Sequence, residues 1–339
     1  MTPPKYSLIV PTYNRLEELM ELLPSINMMS EVDLLELIIV DDGSIDDTEG
    51  YVKSFLGNFE IKYYKQQNKG PGAARNFGMN KASGEFFLFV DSDCILTSDY
   101  LQKIDSFIVV HNPSAFGGPD TFHPSFSPLL KAINYSMTSF IGTGGTRGSK
   151  NSITKFYPRS FNMGIHRSVF EKIGGFNELR HGQDMDYSAR IYEAGFKVLL
   201  IEEAFVYHKR RTSIWKFFKQ IHNWGVARIN LASLHEGMLK PIHLAPSLIV
   251  FLTILSMITF PFINYGGILF VLGAFIVGLL GVIAFVQSFV MYGSFKIALL
   301  SIITLYIQIL AYGIGTINGI WQKWILGKKT AVGITKNYY

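Results

Sequence analysis

Between Leu244 and Ile320 the chain carries a single charged side chain, Lys296. Three apolar runs fill this stretch, at about residues 244–263, 266–290 and 297–320. Each is close to the roughly 20 residues that cross a bilayer as a helix. Charge-free runs of this length exceed what the buried helices of a globular core use. The expectation is therefore a transmembrane helical domain over residues 242–322 and a basic tail over 323–339. If all three runs cross, the lysines after Trp321 end up outside, against the positive-inside tendency; otherwise one run is re-entrant or interfacial.

Of the 339 residues, 48% are hydrophobic and 17% are charged, below the roughly 25% charged of an average soluble domain. The imbalance is concentrated in the tract above, and up to about Lys240 the chain reads as a mixed globular domain. The start, "MTPPKYSLIV", has no basic segment followed by an apolar stretch long enough for a signal peptide. The single cysteine, Cys94, excludes an internal disulfide and accords with a reducing compartment. These features predict a multi-pass protein of the cell membrane whose N-terminal domain faces the cytoplasm. Net charge is +5, and basic residues gather in "YHKRRTSIWKFFKQ" just ahead of the first apolar run. There Lys209, Arg210, Arg211, Lys216 and Lys219 sit beside Trp215, Phe217 and Phe218. That mixture suits amphipathic helices at headgroup level over residues 213–241, rather than a nucleic-acid patch.

In the N-terminal domain, "YSLIVPT", "ELIIVDD", "IKYYKQ" and "EFFLFVD" are short apolar runs bounded by turn residues. Between them lie helical spacings such as Leu16, Leu19, Leu22 and Leu23. Alternating strand and helix predicts an α/β fold with a mostly parallel, Rossmann-like sheet. Ligands gather at the carboxyl ends of such strands, where the unusual polar residues of this chain fall: Pro11 to Arg15, Asp41 to Ser44, and Asp91 to Asp93.

In "DDGSIDDT" the acids also serve as plain helix caps. "FLFVDSDC" is different, because five apolar residues run into two acids, and carboxylates beside a hydrophobic core repel each other unless a cation or donor compensates them. A divalent cation such as Mg²⁺ would do so while taking phosphate oxygens, which points to a nucleotide diphosphate. In "NKGPGAARNFG", glycines 70 and 72 permit close backbone approach ahead of a helix expected near Ala73, with Arg75 in its first turn. This segment fits a plain turn and helix as well as it fits an anion site.

Taken in order, "PTYNR", "DDGSIDDT", "GPGAARNFG", "VDSD", "GGFNE", "GQDMDYSAR" and "HKRRTS" resemble the GT-A fold glycosyltransferases of family 2, over residues 5–212. The resemblance implies a catalytic domain spanning 1–212 and an inverting sugar transfer from a UDP- or GDP-sugar. By position, Pro11, Thr12, Tyr13, Asp41 and Asp42 would hold the nucleotide and Arg75 the diphosphate. Asp91 and Asp93 would form the DxD motif that binds Mg²⁺ or Mn²⁺, with Asp93 the direct ligand and His208 completing the site or touching the diphosphate. Asn162 and Gly164 match the segment bordering donor sugar and acceptor.

Relatives of this kind commonly carry Glu then Asp at the start of a helix, with the aspartate as general base; here the pair is Gln183 and Asp184. Asp186 has a plainer partner in Arg190, one turn on, as a surface pair. "QIHNW" at 220–224 resembles the QxxRW motif of processive synthases with Asn223 in place of arginine, and reads better as part of an amphipathic helix. An acidic base and "GPGAA" rather than GLGxA favour a hydroxyl acceptor on a lipid-linked or other membrane glycoside. A polyprenyl-phosphate acceptor, and a degenerate nucleotide-sugar-binding scaffold, are the alternatives.

Overall fold

A computed structural model describes residues 4–144, 155–259 and 266–335. The end of the first apolar run, at 260–263, and the last residues of the basic tail, 336–339, lie outside the described residues. The chain divides into two compact units: residues 1–123 with 146–209, and residues 124–145 with 210–337.

The first unit begins β1 (Tyr6–Thr12), α1 (Leu16–Asn27), β2 (Leu35–Asp41), α2 (Thr48–Ser54), β3 (Glu60–Lys65), α3 (Pro71–Lys81), β4 (Phe86–Val90), β5 (Cys94–Leu96), α4 (Tyr100–His111), β6 (Ala115–Gly117) and β7 (Asp120–Thr121). After α5 (Pro128–Thr138) and α6 (Phe140–Thr143), which belong to the second unit, it resumes. The resumed part holds β8 (Asn162–His166), α7 (Arg167–Ile173), α8 (Gln183–Glu193), β9 (Val198–Leu200) and β10 (Val206–His208).

Seven strands form one sheet in the order β3-β2-β1-β4-β8-β6-β9. β8 runs antiparallel to β4 and β6, and the other pairings are parallel. Every residue of β1, β2 and β4 is buried, as expected of a parallel sheet covered on both faces. Successive side chains feed opposite cores: Leu8, Val10, Leu37, Ile39 and Leu88 pack with α1, whereas Ile9, Ile38, Val40, Phe87 and Phe89 pack with Met79, Tyr187 and Ile191. A small second sheet, β5-β10-β7, sets His208 opposite Cys94 and lays β10 beside Asp120.

The second unit holds α5, α6, α9 (Ile214–Ala232), α10 (Pro241–Thr259), α11 (Gly266–Tyr292) and α12 (Phe295–Ile320). Three of its helices are long and apolar enough to cross a membrane: Pro241–Thr259, Gly273–Tyr292 and Phe295–Ile325. Two residues assigned to the headgroup level are instead interior. Phe217 is buried with Ile133, Met137 and Ala311, and Arg210 is buried against Asn134 and Met137. Trp215 stays exposed, stacked on Phe218, with Lys219 over its ring.

Candidate active site

The carboxyl ends of β1, β2 and β4 and the small sheet bring the polar residues together. Asp41 and Asp42 close β2 and are both fully buried. Asp41 accepts from the Ser44 amide at 2.7 Å and the Tyr63 hydroxyl at 2.6 Å. Asp42 accepts from Gln66 Nε2 at 2.7 Å, Lys69 N at 2.9 Å and Gly70 N at 2.7 Å. These two carboxylates thus tie down the loops on either side of β3. Pro11 and Thr12 are buried at the end of β1 and Tyr13 is half-buried. Thr12 Oγ1 is buried without a hydrogen-bond partner among the described residues.

The two acids after β4 have separate partners. Asp91 Oδ1 accepts from Arg75 Nη2, a guanidinium that is buried and lies 5.6 Å from the Phe176 ring centroid. Asp93 Oδ2 accepts from Arg15 Nη1 at 2.6 Å, and its Oδ1 lies 3.2 Å from His208 Nε2. The other ring nitrogen of His208, Nδ1, is 3.2 Å from Asp120 Oδ2, whose side chain has no exposure. Part of the charge on this acidic pair is therefore compensated by the protein's own Arg15, Arg75 and His208. Burial by itself would lower the His208 pKa, but Asp93 and Asp120 outweigh it and raise it to about 9.

These residues fit a divalent cation. Asp93, Cys94 and His208 each place a donor atom within 4.8 Å of the others. Asp120 on Nδ1 fixes the imidazole so that Nε2 faces Asp93, the arrangement that orients metal-binding histidines. Cys94 does not join them as a thiolate: burial first, then Asp93, Asp91 and Asp120, hold its pKa well above the usual thiol value, and its sulfur contacts Phe161 O at 3.8 Å. Asp93 and His208 would hold the ion, leaving positions for oxygen ligands.

Gly182, with φ of 83°, turns the chain into α8. Asp184 lies in its first turn, with Oδ1 accepting from Met185 N at 2.8 Å and Oδ2 3.6 Å from Arg159 Nη1. The Gln183 side chain rests on Gly72, where a Cβ would meet its amide nitrogen at 2.6 Å. The start of α8 thus abuts the first turn of α3, which carries Arg75. α3 begins at Pro71, slightly ahead of expectation, because proline suits the first helical position and Gly70 supplies the φ of 91° before it.

Asp186 is not on the surface. It is buried between Arg190 Nε at 3.1 Å and Asn177 Nδ2 at 3.0 Å, and Arg190 also donates to Ile173 O and Gly175 O. Its role is to hold the "GGFNE" loop to α8.

The family model described as Glycosyl transferase family 2 matches residues 7–174. The O-antigen chain rhamnosyltransferase WbaN of Salmonella anatum is 31% identical over 238 residues, 66% of this chain and 72% of that protein. The chain belongs to glycosyl transferase family 2. The GalNAc(5)-diNAcBac-PP-undecaprenol beta-1,3-glucosyltransferase of Campylobacter jejuni is 31% identical over 224 residues, 64% of this chain and 66% of its own length. Some relatives are matched over a short part only: an uncharacterized glycosyltransferase of Rickettsia conorii is 36% identical over 98 residues, 29% of this chain and 16% of its own length. A solved mannosyltransferase of Pyrobaculum calidifontis shares the fold at a TM-score of 0.59 and 15% identity, covering 95% of this chain and 89% of that one.

Asn162 and Gly164 also have partners within the fold. Asn162 accepts from Tyr100 Oη at 2.8 Å and donates to Pro119 O and Ala204 O. These bonds tie β8 to its neighbours and use both ends of its amide. Gly164 lies under the Phe116 ring, where a Cβ would come within 2.1 Å of a ring carbon. Arg15 was placed by sequence only as the end of the Pro11–Arg15 loop, and Asp120 and Arg159 were not singled out. Arg15 stands inside "PTYNR", so position could have flagged it, whereas Asp120 and Arg159 carry no local signal.

Proposed function

We propose that the protein is a membrane-associated, inverting glycosyltransferase. It moves a sugar from a UDP- or GDP-sugar to a hydroxyl of a lipid-linked glycan or other membrane glycoside. The observation that carries this reading is the convergence, at the carboxyl edge of one sheet, of Asp91–Arg75 and Arg15–Asp93–His208–Asp120, beside a helix opened by Asp184. The names of the Salmonella and Campylobacter relatives, an O-antigen chain transferase and an undecaprenol-linked glycan transferase, support the acceptor class.

Displacement at the anomeric carbon builds negative charge on the departing diphosphate, and the Arg15 and Arg75 guanidinium groups are cations set beside the site of that charge. Mg²⁺ or Mn²⁺ held by Asp93 and His208 would add Lewis-acid stabilisation of the same oxygens. Thr12, whose hydroxyl has no hydrogen-bond partner among the described residues, and Tyr13 are offered to the nucleotide along with the loops organised by Asp41 and Asp42. Asp184 takes the proton of the attacking hydroxyl from the opposite face of the sugar. The catalytic unit faces the cytoplasm, where sugar nucleotides are available.

The test is incubation of the purified protein with a panel of UDP- and GDP-sugars and a polyprenol-linked glycan, with Mn²⁺ or EDTA. Transfer with inverted anomeric configuration is expected for one donor, with Asp184→Asn retaining donor binding and turning over about 10² to 10⁴ times more slowly. Turnover of Asp184→Asn at the parental rate refutes the base, and no binding or hydrolysis of any donor refutes the function.

A further inference from the structure

Length and composition make α12 a candidate span, but its packing in the second unit does not suit a helix that crosses. From Thr304 to Gly319 one side of α12 is sealed by two amphipathic helices. α5 covers the first part: Ser136 Oγ meets Thr304 Oγ1 at 2.7 Å, Thr304 donates to Ala132 O at 3.0 Å, and Gln308 donates to Gly142 O just beyond. α9 covers the rest in parallel, at backbone contact. A Cβ on Gly315 would lie 2.0 Å from His222 O, and one on Gly319 would lie 3.0 Å from the Ile229 side chain. Small residues permit this approach. The buried stripe of α12 includes Ser301, Thr304, Gln308 and Thr316, while Leu299, Ile303, Leu310, Ile314 and Ile317 are exposed.

Neither covering helix belongs in hydrocarbon. α5 is 11 residues long, about 16 Å, too short to cross, and the chain on both sides of it belongs to the catalytic unit. α9 starts five residues after that unit and carries Lys216, Lys219 and Arg228. Arg228 reaches the Tyr312 hydroxyl at 3.4 Å and Met238 O at 3.2 Å. A crossing α12 would drag this guanidinium into the bilayer, at a cost of several kcal/mol. The segment left outside the cover, residues 295–303, is about 13 Å long, less than half of the ~30 Å hydrocarbon thickness.

We propose that α12 lies along the membrane boundary with its Leu299–Ile317 stripe in lipid, that α10 and α11 cross as a pair, and that the tail returns to the side of the catalytic unit. This arrangement rests on membrane association and not on sugar transfer. It gathers Lys131, Lys216, Lys219, Lys296, Lys323, Lys328 and Lys329 on one side and leaves the uncharged "FPFINY" of residues 260–265 on the other, which satisfies the charge rule that three crossings violate. Exposed Trp321 and Trp324, with Lys323 between them, end α12 as an interfacial anchor does.

Two measurements on the full chain in sealed vesicles test it, after carbonate-resistant sedimentation has confirmed membrane association of each variant. Cys94 is buried and silent to a bulky impermeant maleimide. Lys53→Cys and Lys329→Cys should label from one side and Asn264→Cys from the other; Lys329→Cys labelling with Asn264→Cys, or all three labelling together, overturns the arrangement. Spin labels at Ile303→Cys and Ile314→Cys, about 16 Å apart along the helix, should report the same shallow depth, and depths differing by more than about 10 Å overturn the in-plane α12. Loss of transferase activity with these results intact would touch only the proposed function.

Discussion

Glu36 lies at the amino end of β2, at the edge of the sheet opposite the proposed site, and its side chain has no exposure. Its Oε1 accepts from Ser7 Oγ at 2.5 Å, Ser83 N at 2.6 Å and Gly84 N at 3.2 Å, and its Oε2 accepts from Lys62 Nζ at 2.6 Å. Burial alone would raise its pKa, but the hydrogen bonds from Lys62, Ser7 and Ser83 prevail and lower it from 4.5 to about 2. At 1.36 kcal/mol per unit, the charged form stabilises the fold by about 3 kcal/mol over the neutral form. Glutamine has the shape of the neutral acid, so Glu36→Gln should lower stability by about 3 kcal/mol at pH 7. For a unit of this size that lowers the thermal midpoint by about 6 to 12 °C. Because the folded pKa is depressed, the contribution is complete above about pH 4.5 and is lost as pH falls towards 2, with about half gone near pH 3. Thermal unfolding of the detergent-solubilised parent and variant at pH 7 and pH 3.5 checks this, with donor KM expected unchanged. A difference under about 1 kcal/mol at pH 7, or one that does not shrink in acid, would refute the reasoning.

Asp93→Asn should abolish Mn²⁺ binding seen by electron paramagnetic resonance, because the charged ligand is removed, while the amide oxygen still accepts from Arg15 and an unchanged circular dichroism spectrum shows the fold kept. Gly72→Ala displaces the Gln183 side chain from its seat; kcat is expected to fall by up to about 100-fold through misplacement of the neighbouring Asp184, and Gln183→Ala in the same chain should restore it. Asn223 Oδ1 accepts from Ile334 N at 2.9 Å and its amide donates to Thr335. Two such bonds contribute about 2 kcal/mol, so Asn223→Ala should speed tryptic cleavage after Lys329 roughly thirty-fold.

The strands and helices of the first unit were legible because their cues are local. Alternation of "YSLIVPT" and "FFLFV" with helical spacings dictates a sheet covered on both faces, and ligand residues then fall at known strand ends. The seven motifs in order carried the family, and the charge-free tract announced the apolar helices. Asn223, where processive synthases have arginine, turned out to be a clamp for the tail, with Asn230 doing the same for Ala331 through two bonds at 2.9 Å.

Sequence alone, then, determined which stretches bury themselves, in which secondary structure, and which acids stand at the sheet's carboxyl edge, because periodicity and apolar length act between near neighbours. Tertiary structure decided the partners. Asp120 meets His208 across 88 positions and Arg15 meets Asp93 across 78. The long-range pairing of β10 with β5 and β7 decides the first, and the juxtaposition of the β1 and β4 ends decides the second; neither leaves a trace in spacing. Only packing, likewise, separated α12 from α10 and α11: all three are apolar enough to span, but burial against charged helices depends on which elements the fold sets beside each, and composition does not record that.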